Sequence, residues 1–340
     1  MRNRALPDLL SVVALVCVLA ATSFAADTST GRDSTRRSRS FRLDYGATLT
    51  DLPAGARVRV WLPVPPSDDH QDVQPLRSIL PSPGTVNVEP VYGNRILYFE
   101  SQSAASGQLS FATPYQVRRR EVRGLDGNSE QRKLTGKENE LFLAANAKVP
   151  LEGKPLNLLQ GIRFPRGSLD VARTLYERVD DHVRYDKSRP GYGDGDVLWV
   201  CDSRFGNCTD FHSLFISLAR SKGIPARFEI GLPLPPERGT GTIGGYHCWA
   251  LFHTDERGWV PVDISEADKH PGMKDYYFGN LTENRVAFSV GRDIQLVPRQ
   301  DGQPLNYFVY PYVEVEGKVW PRDRIKLSLS YRDIAQTTSP

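Results

Sequence analysis

The sequence predicts an α+β protein in which an antiparallel β-sandwich precedes a core of helices packed on an antiparallel sheet. Residues 41–122 contain short alternating strands with no helical period between them. Apolar stripes at helical spacing follow at 168–183 and 209–222, and a polar turn joins two strands at 246–252 and 259–263. Strands without intervening helices favour antiparallel pairing, and an amphipathic helix needs another layer to cover its apolar face.

The first 25 residues have the three parts of a secretory signal peptide. Residues 1–4 are basic, residues 9–21 are small and apolar, and residues 23–25 carry small side chains at the positions that signal peptidase recognises. The apolar stretch is too short to span a bilayer comfortably. We therefore predict cleavage near Ala26, a secreted or periplasmic protein, and no membrane anchor after cleavage. Lipidation at Cys17 is not expected, because the preceding residue is not small.

The charge balance gives no reason to expect a nucleic-acid partner. The chain has 43 Lys and Arg against 40 Asp and Glu, a formal net charge of +3. Loss of the leader removes Arg2, Arg4 and Asp8, which brings the balance closer to neutral. Proteins that bind phosphate backbones depend on a basic surface. The four arginines within residues 32–39 are interpreted as a solvated linker.

Residues 41–122 are predicted to form a β-sandwich of immunoglobulin-like kind. Tyr92-Gly93-Asn94 is a hairpin signal between two of its strands. A linker with one short helix near 139–147 follows at 123–167, and the catalytic region is placed at 168–335. The predicted strands of the sandwich are 41–45, 56–62, 85–89, 95–100, and a last one covering 107–111 and 115–117.

Cys208 is the predicted nucleophile, because it stands at the start of a buried helix. Asn207 or Thr209 can cap the start of this helix, and Gly223 with Pro225 ends it. The unpaired N–H groups and the positive dipole end at a helix start favour a thiolate. The helix at 168–183 is expected to pack beside this one. The apolar stripe of the cysteine helix consists of Phe211, Leu214, Phe215, Leu218 and Ala219.

His247 and Asp263 are the predicted base and its orienting carboxylate. If the hairpin between their strands is centred on Asp255, His247 faces Asp263, with Cβ atoms about 4.5–5.5 Å apart. A carboxylate there accepts the imidazole N–H, fixes the tautomer and holds the ring toward the cysteine. Strand alternation puts Cys248 on the opposite face from His247, away from Cys208.

These residues resemble the transglutaminase-like superfamily, whose core fold is shared in outline with papain-type cysteine proteases. The resemblance covers roughly residues 168–268, and its motifs are GNC at 206–208, LARSKGIPAR at 218–227, YHCW at 246–249 and GWVPVD at 258–263. It implies that Cys208 forms a thioester with an amide substrate, that His247 acts as base and that Asp263 orients it. Leu251 stands where many members have a glutamate.

The predicted function is a thiol enzyme that cleaves or transfers amide acyl groups of a protein or peptide substrate, with no cofactor and no metal. Water and an amine both remain open as acyl acceptors, because both use the same nucleophile and base. Hydrolysis is preferred because water is abundant. The alternatives are a non-catalytic binding module with the same fold, and a structural zinc site made by Cys201, Cys208, His212 and Cys248.

Three cysteines remain after the leader is removed, so one thiol stays unpaired in a monomer. A reactive Cys208 together with a Cys201–Cys248 disulfide satisfies this count.

The glycine- and proline-rich loop at 188–196 is predicted to form an ordered lip beside the cleft. A calcium site there is the lesser alternative, because the loop lacks the terminal glutamate of an EF-hand. The strands predicted at 286–290, 306–310, 312–316 and 325–331 either extend the catalytic sheet or pack on the first domain.

Overall fold

Two five-stranded antiparallel sheets and one four-stranded antiparallel sheet organise the chain. The computed structural model describes residues 36–126 and 133–335, so the predicted signal peptide at 1–25 lies outside the described residues. Within the described part, no helix has the length and apolar character needed to cross a membrane. The main helices are α1 (Gly136–Leu143), α2 (Ser168–His182), α3 (Val197–Ser203), α4 (Cys208–Ser221), α5 (Ile264–Lys269) and α6 (Lys274–Tyr277).

The strands begin with β1 (Ser38–Leu49), β2 (Arg57–Val64), β3 (Gln71–Pro75), β4 (Thr85–Val88), β5 (Arg95–Gln102), β6 (Leu109–Arg120), β7 (Val122–Arg123) and β8 (Arg184–Tyr185). They continue with β9 (Phe205–Gly206), β10 (Ala226–Pro233), β11 (Thr240–Thr242), β12 (His247–Thr254), β13 (Gly258–Val262), β14 (Asn280–Leu281), β15 (Arg285–Val290), β16 (Tyr312–Val315), β17 (Lys318–Val319) and β18 (Ile325–Asp333).

The β-rich N-terminal region confirms the predicted fold class. One sheet has the order β11-β18-β1-β6-β3 and the other has β17-β16-β2-β5-β4. Their inner faces meet, for example where the rings of Phe99 and Phe111 lie 5.4 Å apart. Burial of a side chain of this size stabilises the fold by about 1.5–3 kcal/mol. Alternate residues of β1 form one layer of this core, namely Phe41, Leu43, Tyr45, Ala47 and Leu49.

The last strands of the chain join the N-terminal sheets. β18 pairs along the length of β1, from Phe41 opposite Asp333 to Leu49 opposite Ile325, and β16 pairs with β2. Only β15 of these late strands extends the four-stranded sheet, beside β10. Both alternatives left open by the sequence are therefore realised, each by different strands.

The predicted strand at 306–310 is wrong, because these residues have no regular structure. Two of their aromatic side chains, those of Tyr307 and Tyr310, pack against Tyr246, and the backbone forms no strand pairing. The ring of Tyr307 lies 5.5 Å from that of Tyr246, and the ring of Tyr310 lies 5.9 Å from it. Alternating aromatic residues are typical of strands, but here side-chain packing accounts for them.

The interpretation of residues 32–39 as a solvated linker is wrong at its end. β1 begins at Ser38, and Arg39 is buried. The Arg39 guanidinium forms an ion pair with Asp333, with 2.7 Å between Nε and Oδ1, and donates to the carbonyls of Pro235 and Glu237. A buried charge needs such partners. Residues 32–35 lie outside the described residues.

The four-stranded sheet has the order β13-β12-β10-β15, and α4 packs on one of its faces. All eight residues of β12 are buried, because both faces of the strand are covered. Cys248 and Phe252 lie on the side of α4, where the rings of Phe252 and Phe215 are 6.1 Å apart. The opposite face carries Trp249 and Leu251 in a separate apolar cluster.

Candidate active site

Cys208 is the first residue of α4, one position earlier than the predicted helix start. The helix is capped by Asn207, whose side-chain oxygen accepts from the Thr209 N–H at 2.9 Å. Asp210 closes a capping box, since its carboxylate accepts from the Asn207 N–H at 2.8 Å. The N–H groups of the first turn of a helix have no intrahelical acceptor, so the backbone at Cys208 presents a donor beside its own sulfur.

The structure brings Cys208, His247 and Asp263 together. His247 Nε2 lies 2.8 Å from Asp263 Oδ2. This leaves His247 Nδ1 for Cys208, whose sulfur is close enough to raise the pKa of the ring. The exposed fractions are 3% for Cys208, 7% for His247 and 0% for Asp263, so the three groups interact with little screening by water.

The predicted hairpin register is wrong by two residues. Phe252 pairs with Val260, not with Gly258, and Thr254 closes the turn opposite Gly258. The loop therefore has three residues, and Gly258 takes the left-handed conformation, φ 65°, that such loops require. A shift of two residues keeps every side chain on its face. Asp263 lies just beyond β13 as the N-cap of α5, and its carboxylate reaches His247 from there.

Arg285 on β15 also binds the Asp263 carboxylate. Its Nη1 donates to Oδ2 at 2.8 Å, while the Ser265 hydroxyl and the Glu266 N–H donate to Oδ1 at 3.3 Å each. Burial acts to raise the pKa of Asp263, but the positive charges of His247 and Arg285 outweigh it and hold that pKa well below its usual range. Asp263 is therefore ionised. Sequence reasoning missed Arg285, and the available signal was a single cation at the start of an apolar strand.

The pKa shifts of Cys208 and His247 favour a thiolate and an imidazolium over the two neutral groups. Burial acts to raise the pKa of Cys208, but hydrogen bonds with Cys248 and His247 and the charge of His247 lower it well below its usual value. Burial acts to lower the pKa of His247, but the Asp263 carboxylate and then Cys208 raise it above its usual value. Each partner thus stabilises the charged form of the other.

His212 lies under the site as a neutral, packed side chain. Its Nε2 accepts a hydrogen bond from the Ile264 N–H at 3.0 Å, which places the ring proton on Nδ1. Burial lowers the pKa of His212 to about 4. With Nε2 occupied, His212 does not compete with His247, the predicted base.

The predicted Cys201–Cys248 disulfide is wrong, because all three cysteines of the described residues are free. The expectation that Cys248 points away from Cys208 is also wrong, since the Cys248 sulfur lies 3.8 Å from the hydroxyl oxygen of Thr209, the residue after Cys208 on α4. α4 lies against the Cys248 face of β12, while His247, the first residue of that strand, reaches Cys208 from the strand end. The zinc alternative finds no support, as no group of three or more His, Cys, Asp or Glu in the described part is placed to hold a metal.

The loop at 188–196 lies against the start of α4. Gly193 N and Gly195 N donate to the two oxygens of Asp210 at 2.8 and 3.0 Å. Burial raises the pKa of Asp210 to about 6. The carboxylates proposed for calcium have other partners: Asp194 pairs with Lys148, and Asp196 caps α3. Asp210 thus holds both the loop at 188–196 and the start of α4, which carries Cys208.

Tyr246 is a further residue of the site that sequence reasoning did not single out. Its hydroxyl accepts from Asn207 Nδ2 at 3.0 Å and lies 2.8 Å from the Thr209 hydroxyl. With Tyr307 and Tyr310 it forms an aromatic wall beside the first turn of α4. The two hydrogen bonds of the Tyr246 hydroxyl fix the position of this aromatic wall relative to Cys208.

Known proteins resemble this chain in sequence and in fold. Residues 157–264 match the family model of the transglutaminase-like superfamily. An uncharacterized protein of Haemophilus influenzae is 34% identical over 181 residues, which are 44% of this chain and 49% of that protein, so the match spans about half of the relative's length. The crystal structure of a candidate cysteine protease from Cytophaga hutchinsonii aligns with a TM-score of 0.53 at 16% identity, over 87% of this chain and 98% of that one. At this identity the likeness shows the fold.

Proposed function

We propose that this chain, which carries a transglutaminase-like domain, is a thiol enzyme that cleaves or transfers amide acyl groups through a Cys208 thioester. The observation that carries the proposal is the buried group of Cys208, His247 and Asp263 at the start of α4, in which His247 Nε2 lies 2.8 Å from Asp263 Oδ2 and His247 lowers the pKa of Cys208. A thiolate at a helix start, paired with an imidazolium held by a carboxylate, is an activated nucleophile with its own acid and base. Protein or peptide amides, including glutamine side chains, are the proposed substrates.

The proposed reaction begins when the Cys208 thiolate attacks the amide carbonyl carbon. The N–H of Cys208 and the positive end of α4 stabilise the oxyanion that develops. The His247 imidazolium then donates its Nδ1 proton to the leaving amine, and the thioester remains. In the second half, His247 removes a proton from the acceptor, which attacks the thioester and releases Cys208. Asp263 keeps the ring oriented throughout, through Nε2.

Detection of the acyl-enzyme tests the proposal directly. The purified protein is mixed with candidate peptide and glutamine donors, and its intact mass is measured under acid quench. A mass increase equal to the acyl group, located on the peptide that contains Cys208, is the expected result. An acyl adduct on another residue, or none while the substrate is consumed, contradicts the thioester.

The partition between water and an amine distinguishes the two proposed outcomes. We expect hydrolysis, because Cys208 is only 3% exposed and water is small enough to reach it. Saturating primary amine should therefore leave the product distribution unchanged, as measured by mass spectrometry of both products. An amide-exchanged product that grows with amine concentration would assign the chain to the transferases. No change, in contrast, removes transamidation and keeps the thiol hydrolase.

Limited alkylation tests the assignment of the nucleophile among three buried cysteines. We expect iodoacetamide at limiting concentration to label Cys208 first in the folded protein, because only its pKa is lowered. Burial raises the pKa of Cys201 to about 11, and burial also raises that of Cys248. Peptide mapping measures the order in which the three cysteines are alkylated. Equal labelling of the three, or labelling that spares Cys208, counts against the assignment.

The proposed location is outside the cytoplasm, in the periplasm or secreted medium. It rests on the basic, apolar and small-residue segments of the first 25 residues.

A further inference from the structure

Cys248 places a second thiol against the proposed nucleophile. Its sulfur lies 3.8 Å from the Thr209 hydroxyl oxygen and 3.8 Å from His212 Nδ1. Thr209 and His212 follow Cys208 by one and four residues on α4, and residues four apart share a helix face. The Cys248 sulfur therefore lies on the face that begins with Cys208. After burial, the group that most affects the pKa of each of these two thiols is the other thiol.

We propose that Cys208 and Cys248 form a reversible disulfide when the protein meets a hydroperoxide, and that Cys248 thereby protects the nucleophile from irreversible oxidation. The disulfide itself depends only on two adjacent thiols. Its consequence for activity rests on the proposed function, since the same sulfur would carry the acyl group.

The two thiols have different parts in this reaction. The Cys208 thiolate attacks the peroxide, so that a sulfur–oxygen bond forms, the oxygen–oxygen bond breaks, and the departing hydroxide takes a proton from solvent to become water. The Cys248 thiol then attacks the sulfenic sulfur. A disulfide forms, the sulfur–oxygen bond breaks, and the second hydroxide leaves as water with the Cys248 proton. Two thiols give up two electrons, and one hydrogen peroxide becomes two waters.

The order of oxidation follows from the environments of the two sulfurs. The more ionised thiol reacts first with peroxide. Burial, followed by the hydrogen bond and charge of Cys208, raises the pKa of Cys248, so it stays protonated until the sulfenic acid forms beside it. Cys201 is on α3 and serves as an internal comparator, because it is a free, buried thiol of the same chain.

Peptide mapping can test the proposal, because trypsin separates the three cysteines. Cleavage after Lys187, Arg204, Arg220, Arg238 and Arg257 puts Cys201, Cys208 and Cys248 on three different peptides. The folded full chain, with Cys248→Ser, Cys248→Ala and Cys201→Ala variants, is treated with hydrogen peroxide. It is then denatured in N-ethylmaleimide and digested without reductant. Dimedone in a parallel sample traps sulfenic acid.

The expected result in the wild type is a linked pair of the Cys208 and Cys248 peptides, lighter by two hydrogens, with Cys201 alkylated. Dithiothreitol should restore both thiols. Cys201→Ala should give the same linked pair. In either Cys248 variant, the dimedone adduct and the sulfinic acid of Cys208 should increase several-fold. Two Cys248 variants are used because one of them could fail to fold. Thermal melting identifies such a failure, and the other variant then gives the result.

The proposal is overturned if the wild type gives no linked pair while Cys208 accumulates dimedone adduct to the level of the variants. A link from Cys208 to Cys201 overturns it too. These readouts need no amide substrate. A linked pair in a chain without amide activity would therefore refute the proposed function alone, whereas reversible loss of activity without the linked pair would refute only the disulfide.

Discussion

Replacement of Cys208 by alanine is expected to abolish amide turnover, with a loss of roughly 10⁴-fold or more in kcat/KM. The physical reason is that the substitution removes the sulfur that would carry the acyl group in the proposed reaction. The His247 ring would keep its bond to Asp263, so the fold around the site should persist. Turnover of the best donor identified by acyl-enzyme trapping is the measurement.

The matched control for this prediction is Cys201→Ala. It removes the same sulfur atom from a second buried position of a helix, so the loss of packing is comparable. We expect its kcat/KM to stay near that of the wild type. If Cys208→Ala and Cys201→Ala have equal activity while both melt as folded proteins, the nucleophile is elsewhere.

Substitution of Asp263 is the second change with a large expected effect. Asp263→Asn keeps the shape but replaces an acceptor-only carboxylate with an amide that can present a donor to the ring. We expect kcat/KM to fall by roughly 10- to 10³-fold, less than in serine proteases, because papain-type enzymes use asparagine at this position. Asp263→Ala should be at least as harmful. It also leaves buried Arg285 without its carboxylate, a loss that costs about 3–5 kcal/mol of stability for a broken buried ion pair.

The pH profile separates an orienting role from a merely structural one. Asp263 raises the pKa of His247, and the His247 charge lowers the pKa of Cys208. The acid limb of the activity profile should therefore lie at low pH and the alkaline limb at high pH. Without the negative charge of Asp263, the imidazolium loses its proton at lower pH, so the alkaline limb should move to lower pH. At the acid limb the ring carries its proton with or without the Asp263 charge, so that limb should not move up. Asp263→Asn should therefore narrow the profile from the alkaline side.

Asp255→Asn is the control for Asp263, because Asp255 is exposed at the tip of the same hairpin. It should change neither the rate nor the profile. Near-normal activity with an unshifted profile in a folded Asp263→Ala protein would mean that the carboxylate only ends a strand and caps α5.

Sequence alone determined those features that depend on local patterns. The start of α4 was predicted to within one residue, because capping side chains, an apolar stripe and a terminal glycine all act within a few residues of each other. The backbone N–H groups around a cysteine at a helix start favour its thiolate form. The carboxylate Asp263 was found even with a wrong register, because a shift of two residues keeps each side chain on its face.

Only the tertiary structure decided which distant segments meet. Nothing local to residues 325–333 specifies pairing with β1, and that pairing is selected by burial of apolar faces from both ends of the chain. Arg285 reaches Asp263, and Cys248 reaches Cys208, because packing of α4 on β12 and of β15 beside β10 brings separate elements together. Strand alternation describes the two faces of β12 but does not say which face a helix covers. That choice, made by long-range packing, puts the thiol of Cys248 beside the first turn of α4, which carries Cys208.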